Sequence, residues 1–349
     1  MICMDEAIEI YLLGAGNVGS SLLEIINKHN DGNFSLQKIA SSKKMLEDHN
    51  GINPRTAVKQ LINSDKPFNF EEFIQPNNNT RLKVFVDCTA SESISKEYEN
   101  IINKGFSIVT ANKIANTLDY SYYKSLRQTA QKNNLHFKYE TNVGAGLPII
   151  HTLKRLVESG DTILSIEGVL SGTLSYLFNN YDGTVPFSNL LQDAKTNGFT
   201  EPDPRQDLSG MDVARKMLIL VREIGVQLEL NDIHIDSLVP QKLNNLSTHD
   251  FLEHLQEYDE EYYNKYHQAK LENKVLRYIG SWNGEIIKVG LRAVDRENFF
   301  YFQKGRENYI VIKSERYNSV PIIIRGHGAG VVVTAAGIYS DINACRSVG

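Results

Sequence analysis

Cysteine, long apolar runs and a basic surplus are all missing or scarce in this sequence, and each absence narrows the possible functions. The three cysteines, Cys3, Cys88 and Cys345, lie far apart without a CxxC spacing. This spacing excludes a disulfide framework and a cysteine-rich zinc site, and it is typical of a reducing compartment. No apolar run approaches the ~18 residues of a membrane span. The N-terminus carries acids where a signal peptide carries positive charge, so by elimination we expect a cytoplasmic protein.

The charge balance and the length bound the class of protein. Lysine and arginine number 37 against 42 aspartates and glutamates, which gives a formal net charge of −5. Nucleic-acid-binding domains are usually basic, so we do not expect nucleic acid as a partner. The 349 residues suffice for about two domains of ~150 residues each. The hydrophobic share of 41% and the charged share of 23% are ordinary for a globular protein.

A glycine-rich motif follows the first predicted strand, Glu9–Leu13. It reads Gly14-Ala15-Gly16-Asn17-Val18-Gly19, and an amphipathic helix follows it. Strand, glycine turn and helix together are the fingerprint of a dinucleotide-binding site. Gly14 permits the tight turn, Gly16 lets the backbone approach a pyrophosphate, and Gly19 lets the helix pack closely on the strand. The helix N-terminus then offers N–H groups to the phosphates.

The second predicted strand, Leu36–Ala40, bears on the choice of cofactor. An NAD-specific site usually has an acid at the end of this strand to bind the ribose 2′-hydroxyl. Here the strand ends in Ser41-Ser42-Lys43-Lys44, and hydroxyls and cations suit a 2′-phosphate better. We therefore favour NADP over NAD, with Ser41 and Lys43 as contacts, although such lysines are also common on ordinary surfaces.

Strands and helices alternate through the rest of the first half. Residues 52–80 read as helix plus loop, strands are predicted at 83–88, 106–110 and 135–139, and helices at 93–105 and 120–133. Ligands in open α/β folds bind at the carboxyl ends of the strands. Thr89 and Lys113 follow two of these ends, so Lys113 is either a cofactor or substrate contact or an ordinary surface lysine.

The pattern changes after Pro148 and indicates a second, α+β domain. Helices are predicted at 149–158, 187–197, 209–225 and 248–272, and strands at 162–169, 275–282, 285–293, 300–303 and 310–312. A strand at 321–324, a glycine-rich loop and a helix at 331–340 resemble the first domain instead. The predicted fold class is α/β: a Rossmann nucleotide-binding domain, residues 1–147 completed by 318–349, plus an α+β substrate and dimerisation domain with an antiparallel sheet, residues 148–317.

The stretch from Gly198 to Lys216, GFTEPDPRQDLSGMDVARK, concentrates charge between two helices. Pro202 and Pro204 disfavour a helix in its first half, and Ser209 is a candidate N-cap for the helix that follows. Asp212 and Lys216 lie four residues apart and so share a face of that helix. The stretch is therefore either a substrate site or a solvated loop with a surface ion pair.

Hydride transfer between a nicotinamide and an alcohol also needs a group that moves a proton. Lys216 is our candidate, because a neighbouring cation such as Lys113 can lower the pKa of a lysine. Asp212 could orient Lys216 or bind substrate. Glu201 and Asp207 could accept hydrogen bonds from a cationic substrate group, which favours a substrate that carries an amino group.

Three questions stay open from the residues alone. Cys88 could be a thiol nucleophile of a semialdehyde dehydrogenase, but its place in a strand favours a packed core thiol. A dinucleotide-sensing regulator without enzymatic activity is a further alternative, although such a protein needs no dense acid–base loop. The loop 140–148, with two glycines and a proline, could hold a small ion through its carbonyl groups or be a plain domain crossover.

The motifs taken together resemble homoserine dehydrogenase, in particular the dehydrogenase half of bifunctional aspartate kinase–homoserine dehydrogenases. The resemblance covers residues 9–343 and rests on GAGNVG, VDCTAS, TANK, NVGAGLPI, GVLSGTLSYLF, GFTEPDPRQDLSGMDVARK and PIIIRGHGAGVVVTAAGIYSDI. It implies reversible NAD(P)-dependent interconversion of L-homoserine and L-aspartate 4-semialdehyde, in threonine, methionine and isoleucine biosynthesis. Neither the kinase half nor an ACT domain is evident, so we expect no inhibition by threonine.

The resemblance also implies roles for individual residues. Lys216 would be the proton donor and acceptor, Glu201 and Asp212 would bind the amino acid with Asp207 and Thr173 close by, and Lys113 would assist on the cofactor side. Further family cofactor contacts fall on Asn17, Val18, Thr89, Gly198 and Gly330. A family sodium site falls on the carbonyls of Glu140, Val143, Ala145 and Leu147. Family members are usually homodimers through the sheet of the second domain.

Overall fold

The chain divides into two compact units, Met1–Gly146 with Gly330–Gly349, and Leu147–Ala329. The computed structural model describes residues 7–29 and 32–346 of the chain. Cys3 and the acidic N-terminus considered above lie outside the described residues. Within the described ranges, no helix has both the length and the apolar character needed to cross a lipid bilayer.

The first unit is built on a mostly parallel sheet. Its strands are β1 (Ile8–Leu13), β2 (Phe34–Ala40), β3 (Met45–Ile52), β4 (Lys83–Asp87), β5 (Phe106–Thr110) and β6 (Phe137–Lys138). They lie in the order β3-β2-β1-β4-β5-β6, and all neighbours are parallel except β2 and β3. This is the strand order of a dinucleotide-binding Rossmann sheet, as the sequence predicted.

Six helices of the first unit connect these strands. They are α1 (Asn17–Lys28), α2 (Ala57–Asn63), α3 (Phe70–Phe73), α4 (Glu92–Lys96), α5 (Tyr98–Asn103) and α6 (Tyr120–Lys132). Apolar residues of α1, including Leu22, Leu23 and Ile26, pack into the same buried cluster as Ile10 of β1. This packing places the first turn of α1 directly after the end of β1.

Three predictions for the first unit need correction. Strand β3 was not predicted, because its sequence MLEDHNGI is largely polar, with Asp48, His49 and Asn50 exposed between the buried ends Met45 and Ile52. The helix predicted at 93–105 is two short helices, α4 and α5, and the strand predicted at 135–139 is reduced to Phe137–Lys138.

The second unit contains a sheet that is almost entirely antiparallel. Its strands are β7 (Ile163–Val169), β8 (His234–Ile235), β9 (Val275–Trp282), β10 (Ile287–Val294), β11 (Glu307–Ser314) and β12 (Ile322–His327). Their order is β12-β11-β7-β9-β10-β8, with only β8 and β10 parallel. The strand predicted at 300–303 is wrong, because the side chains of Asp295 and Asn298 accept backbone hydrogen bonds and fold this segment into turns.

Seven helices belong to the second unit. They are α7 (Ile149–Glu158), α8 (Gly172–Asn180), α9 (Phe187–Thr196), α10 (Arg205–Leu208), α11 (Met211–Glu223), α12 (Thr248–His254) and α13 (Asp259–Leu271). Both α8 and α11 pack on β9. A Cβ at Gly280 of β9 would lie 2.5 Å from Cγ of Met217, so a glycine here lets α11 approach the sheet closely.

The C-terminal segment returns to the first unit later than predicted. Strand β12 pairs antiparallel with β11 and so belongs to the second sheet, although its sequence resembles the first domain. The last helix, α14 (Val331–Ala344), packs against α1 of the first unit and buries Ala335, Ile338 and Ile342. The division therefore falls at Gly330 and not at residue 318.

Candidate active site

The glycine turn after β1 has the geometry that a dinucleotide site requires. Gly14 has φ +101°, and a Cβ there would lie 2.8 Å from the backbone of Cys88. A Cβ at Gly19 would lie 2.1 Å from the carbonyl oxygen of Gly14, so only glycine permits this helix packing. At Gly16 nothing lies within 4 Å of the Cβ position, which leaves space for a phosphate group beside the backbone.

The N-terminus of α1 completes this half of the site. Gly16 is the N-cap residue, and the first turn contains no acid. The N–H groups of Asn17, Val18 and Gly19 lie in this first turn and have no acceptor within the helix. Free N–H groups and the positive end of the helix dipole together suit a pyrophosphate. The residues present therefore fit a bound dinucleotide.

The turn after β2 carries the predicted contacts for a 2′-phosphate. The hydroxyl of Ser41 accepts hydrogen bonds from the backbone N–H groups of Lys43 at 3.3 Å and Lys44 at 3.1 Å. The ammonium of Lys44 donates to the carbonyl of Ile62 at 2.7 Å, whereas the side chain of Lys43 is exposed. A hydroxyl and an exposed cation in a turn without an acid fit a phosphate better than a bare ribose.

A buried carboxylate that the sequence analysis did not single out organises the ends of β4 and β5. Asp87 accepts hydrogen bonds from the N–H of Thr89 at 2.7 Å, the hydroxyl of Tyr98 at 2.6 Å and the amide of Asn112 at 3.3 Å. Burial raises the pKa of Asp87, and the hydrogen bonds oppose that rise. Asn112 also donates to the carbonyl of Ser91 at 2.9 Å. Asp87 thus ties the loop of Thr89 to the loop that precedes Lys113, and the signal for it was an acid inside a buried strand.

Lys113 lies where the sequence predicted, in the loop after β5. It precedes a short 3-10 turn, Ile114–Asn116, and the side chain of Asn112 accepts the N–H of Ile114 at 3.1 Å.

Cys88 follows β4, and burial first and the Asp87 charge second raise the pKa of its thiol. A thiol held protonated is a poor nucleophile, which argues against the thioester mechanism.

The carbonyls of the predicted sodium loop are partly engaged with the backbone. The carbonyl of Glu140 accepts the N–H of Val143 at 3.4 Å, and that of Leu147 accepts the N–H of Ile149 at 2.9 Å. Ala145 has a left-handed φ of +53°, which is uncommon for a residue with a Cβ. Carbonyl oxygens have two lone pairs, so these donors remain chemically suited to a hard cation.

Gly198 and Gly330, two of the remaining predicted cofactor contacts, lie at helix ends with positive φ angles that by themselves explain a glycine. Gly198 follows α9 and has φ +68°, the conformation that glycine commonly supplies at a helix C-terminus. Gly330 has φ +132° and is the N-cap of α14. Their contact with a cofactor stays a prediction.

In the second unit, Asp207 brings three predicted substrate residues together. One oxygen of its carboxylate lies 2.8 Å from the hydroxyl of Thr173, in the first turn of α8, and the other accepts the N–H of Glu201 at 2.8 Å. The Thr173 hydroxyl also lies 2.7 Å from the carbonyl of Phe199. Burial raises the pKa of Asp207, and the charges of Glu201 and Asp212 add to the rise. The carboxylates of Asp207, Glu201 and Asp212 therefore influence one another, and these residues with Thr173 are called the substrate corner below.

Lys216 is held in a fixed position beside this corner. Its ammonium donates to the carbonyl of Leu170 at 2.8 Å and lies 2.6 Å from a carboxylate oxygen of Asp212. The Lys216 side chain is 10% exposed. The structure thus places Lys216 against Asp212, and Asp207 against Thr173 and Glu201. Their roles in substrate binding and proton transfer stay predictions. The anchor at Leu170 could not be read from the sequence, because it is a backbone contact across 46 residues.

One local prediction for this stretch is wrong. The N-cap of α11 is Gly210, with φ +73°, and Ser209 instead ends the short helix α10 that follows Pro204. A Cβ at Gly210 would lie 2.0 Å from the hydroxyl oxygen of Tyr278. The close approach of Tyr278, on β9, therefore fixes the start of the helix that carries Lys216.

Two protein-family models match this chain. Residues 148–342 match the model described as homoserine dehydrogenase, and residues 14–140 match the model of the homoserine dehydrogenase NAD binding domain. The chain belongs to the homoserine dehydrogenase family. The resemblance inferred from the sequence motifs is thereby confirmed.

Curated relatives of this homoserine dehydrogenase family chain are longer proteins. The bifunctional aspartokinase/homoserine dehydrogenase of Haemophilus influenzae is 41% identical over 347 residues, which are 97% of this chain and 42% of that protein. A chloroplastic bifunctional enzyme of Arabidopsis thaliana is 41% identical over 348 residues, 95% of this chain and 38% of that protein. The chain thus spans about two fifths of the length of these relatives.

Solved structures share the fold. A protein of unknown function from Candida auris has a TM-score of 0.91 and 34% identity, and the match covers 97% of this chain and 98% of that one. A hyperthermophilic archaeal homoserine dehydrogenase, solved in complex with NADPH, has a TM-score of 0.72 and 21% identity, with 97% of each chain covered. At this lower identity the likeness shows the fold alone.

Proposed function

We propose that this chain catalyses the reversible, NADP(H)-dependent interconversion of L-homoserine and L-aspartate 4-semialdehyde. The observation that carries the proposal is the fixed ammonium of Lys216, 2.6 Å from Asp212 and 2.8 Å from the Leu170 carbonyl, within a corner that also holds Asp207 and Glu201. A buried, oriented cation beside several carboxylates suits a substrate that has both an amino group and a reacting oxygen.

Different residues of the second unit bind the substrate and transfer its proton. Glu201 and Asp212 accept hydrogen bonds from the substrate ammonium, and Asp207 supports them through Thr173 and the N–H of Glu201. Lys216 donates a proton to the substrate oxygen during reduction and removes it during oxidation. The carbonyl of Leu170 and the carboxylate of Asp212 keep the ammonium in place for this transfer.

The residues of the first unit hold the cofactor. The N–H groups at the start of α1 bind the pyrophosphate, and Ser41 and Lys43 bind the 2′-phosphate of NADPH. Bound NADPH supplies the hydride for the aldehyde carbon. The NADPH complex of the archaeal family member supports this choice of cofactor. Lys113, after β5, assists on the cofactor side.

A spectrophotometric assay tests the proposal. The purified chain is mixed with NADPH and L-aspartate 4-semialdehyde, and NADPH oxidation is followed at ~340 nm, with chromatographic detection of homoserine as product. We expect turnover that depends on both substrates and runs in reverse with homoserine and NADP. A folded chain that binds NADPH but turns over neither substrate would contradict the proposal.

Two further features of the family extend the proposal. We expect a homodimer through the second sheet, which exposes the large apolar residues Leu164 on β7 and Ile323 on β12. Sedimentation equilibrium measures the assembly, and a monomer at micromolar concentration would contradict it.

We expect sodium at the carbonyls of the loop 140–147, so replacing sodium by tetramethylammonium should lower activity or thermal stability. An unchanged melting curve and rate would contradict that site.

A further inference from the structure

A cation next to the substrate corner has no acidic partner. Arg306 lies in the turn before β11, and its guanidinium carbon is 4.7 Å from the centroid of the Phe199 ring. Arg306 makes no hydrogen bond or ion pair with any residue that the structure describes. Its neighbour Glu307 is committed elsewhere, because it binds Arg325 at 2.7 Å. Arg306 therefore presents an unneutralised positive charge.

The strand register places Arg306 beside the substrate residues. Tyr309 of β11 lies opposite Val169 of β7, and the two strands are antiparallel. Continued for three residues, this register puts Arg306 opposite Gly172, at the start of α8. The contacts agree, since Nε of Arg306 lies 3.6 Å from the Cβ position of Gly172. The next residue, Thr173, carries the hydroxyl bound to Asp207.

The ring of Phe199, which the guanidinium of Arg306 covers, also connects Arg306 to the substrate corner. Phe199 contacts Arg306 through its ring, and its carbonyl lies 2.7 Å from the Thr173 hydroxyl. A guanidinium that stacks on an aromatic face leaves its N–H groups free at the edge of the plane. That orientation suits a bidentate contact with a carboxylate.

The turn that carries Arg306 is anchored and not a loose surface loop. The buried guanidinium of Arg277 donates to the carbonyls of Phe300 at 3.0 Å and Gln303 at 3.1 Å. The amide of Asn179, at the end of α8, donates to the side chain of Gln303 and to the carbonyl of Gly305, both at 3.0 Å. The backbone next to Arg306 is thus fixed to the helix that carries Thr173, which limits the entropy lost on binding.

Charge balance indicates what Arg306 binds. A zwitterionic amino acid brings an ammonium, which the carboxylates of this corner can accept, and a carboxylate, which needs a cation. Lys216 is already paired with Asp212 at 2.6 Å and is assigned to proton transfer. We propose that Arg306 binds the α-carboxylate of the amino-acid substrate and so determines specificity for it. This inference rests on the proposed function and adds a substrate-binding residue to it.

A comparison of two substrates tests the assignment. Arg306→Met removes the charge but keeps a long side chain that can pack on Phe199. The kcat/KM for L-homoserine is measured against that for L-homoserinamide, which lacks the carboxylate charge. Loss of a charged hydrogen-bond partner should raise the KM for homoserine roughly 10- to 100-fold, with little change for the amide. The preference for homoserine over the amide should therefore collapse.

Two further variants separate recognition from structure. Arg306→Lys keeps the charge and should retain part of the preference. Arg296→Met is the matched control, because Arg296 also lies over a ring, 6.0 Å from the centroid of Tyr301 in the same unit, and it should leave both substrates unaffected. An unchanged preference in Arg306→Met, or an equal loss for both substrates, overturns the assignment while the proposed function stands. A wild-type chain that does not turn over homoserine overturns both.

Discussion

The ammonium of Lys216 and the carboxylate of Asp212 form an ion pair across one turn of α11, at 2.6 Å. The Lys216 side chain is 10% exposed and that of Asp212 is 49% exposed. An ordinary pair of the same spacing, Glu261 and Lys265 on α13, is 59% and 42% exposed. Exposed pairs of this kind contribute only about 0.3–0.5 kcal/mol. The burial of Lys216 and its second contact with the Leu170 carbonyl therefore point to chemistry and not to helix stability.

Replacing Lys216 separates catalysis from cofactor binding. Lys216→Met should lower kcat by about 10²- to 10⁴-fold, because it removes the proton donor and acceptor. NADPH binding should stay near wild type, since the glycine turn and the turn of Ser41 belong to the first unit. Fluorescence titration of NADPH and steady-state kinetics measure the two effects. Lys265→Met serves as the control, and a joint loss of binding and turnover in Lys216→Met would mean that the lysine is structural.

The pKa of Asp207 predicts how stability depends on pH. Burial, and then the charges of Glu201 and Asp212, raise this pKa above its ordinary value of 3.8. The folded state therefore holds the proton more tightly than the unfolded state, and Asp207 destabilises the fold increasingly as pH rises from about 3.8 through the raised value. Asp207→Asn keeps the shape without the titration. Its unfolding free energy, relative to wild type, should increase between about pH 4 and pH 7.

Urea unfolding of both proteins across this pH range measures the difference. A difference that is constant with pH would show that the pKa of Asp207 is not raised in the folded protein. The same variant should also bind homoserine more weakly, because it removes one carboxylate from the corner that accepts the ammonium.

The turn after β2 predicts a change in cofactor preference. Ser41→Asp places a carboxylate where a 2′-phosphate would bind, and Lys43→Glu removes the exposed cation. Each should lower the ratio of kcat/KM for NADPH over NADH by about tenfold or more, as expected for loss of a charged contact. Lys59→Glu, an exposed charge change on α2, is the control. An unchanged ratio in both variants would mean that the ribose lies elsewhere.

We expect that replacing the buried Asn308 lowers activity without lowering stability. Its side chain is buried, with 1% exposure, and neither its amide nitrogen nor its oxygen has a hydrogen-bond partner among the described residues. Such groups cost about 1–3 kcal/mol each when unpaired. Asn308 lies two residues after Arg306, near the start of β11. Asn308→Leu should therefore leave the melting temperature equal or higher while it lowers kcat/KM for homoserine.

Thermal melts and kinetics on Asn308→Leu and on Ile310→Leu, a buried control on the same strand, distinguish the outcomes. A lower melting temperature together with unchanged kinetics in Asn308→Leu would show that the amide serves the fold and not the reaction.

Local patterns in the sequence were enough to predict the glycine turn and the parallel strands on either side of it in the first unit. The turn at Gly14 has a backbone conformation and a close contact that only glycine tolerates, so the motif itself reports the geometry. Lys113 was correctly predicted to follow a strand, because the buried strand before it is evident in the sequence. By contrast, β3 was missed because an edge strand can be polar on its exposed side.

Long-range contacts explain what could not be predicted. The sequence of β12 reads like a strand of the first unit, but its pairing with β11 places it in the second. The cap at Ser209 was predicted from side-chain chemistry alone, whereas Tyr278 on β9 determines that Gly210 begins the helix. The Leu170 carbonyl and Arg306 reach the site through sheet register, which no local pattern encodes.

An ammonium at position 216 moves the proton in the proposed reaction, and chemical rescue tests this role most directly. Lys216→Cys is alkylated with 2-bromoethylamine, which rebuilds a lysine-like ammonium. Burial raises the pKa of Cys88 and of Cys345, so these thiols should react slowly, and Lys216→Ala treated in the same way controls for them. We predict that homoserine-dependent reduction of NADP is nearly absent in Lys216→Cys and returns after alkylation. An unmodified variant as active as wild type, or a fully alkylated one that stays inactive, would contradict the account.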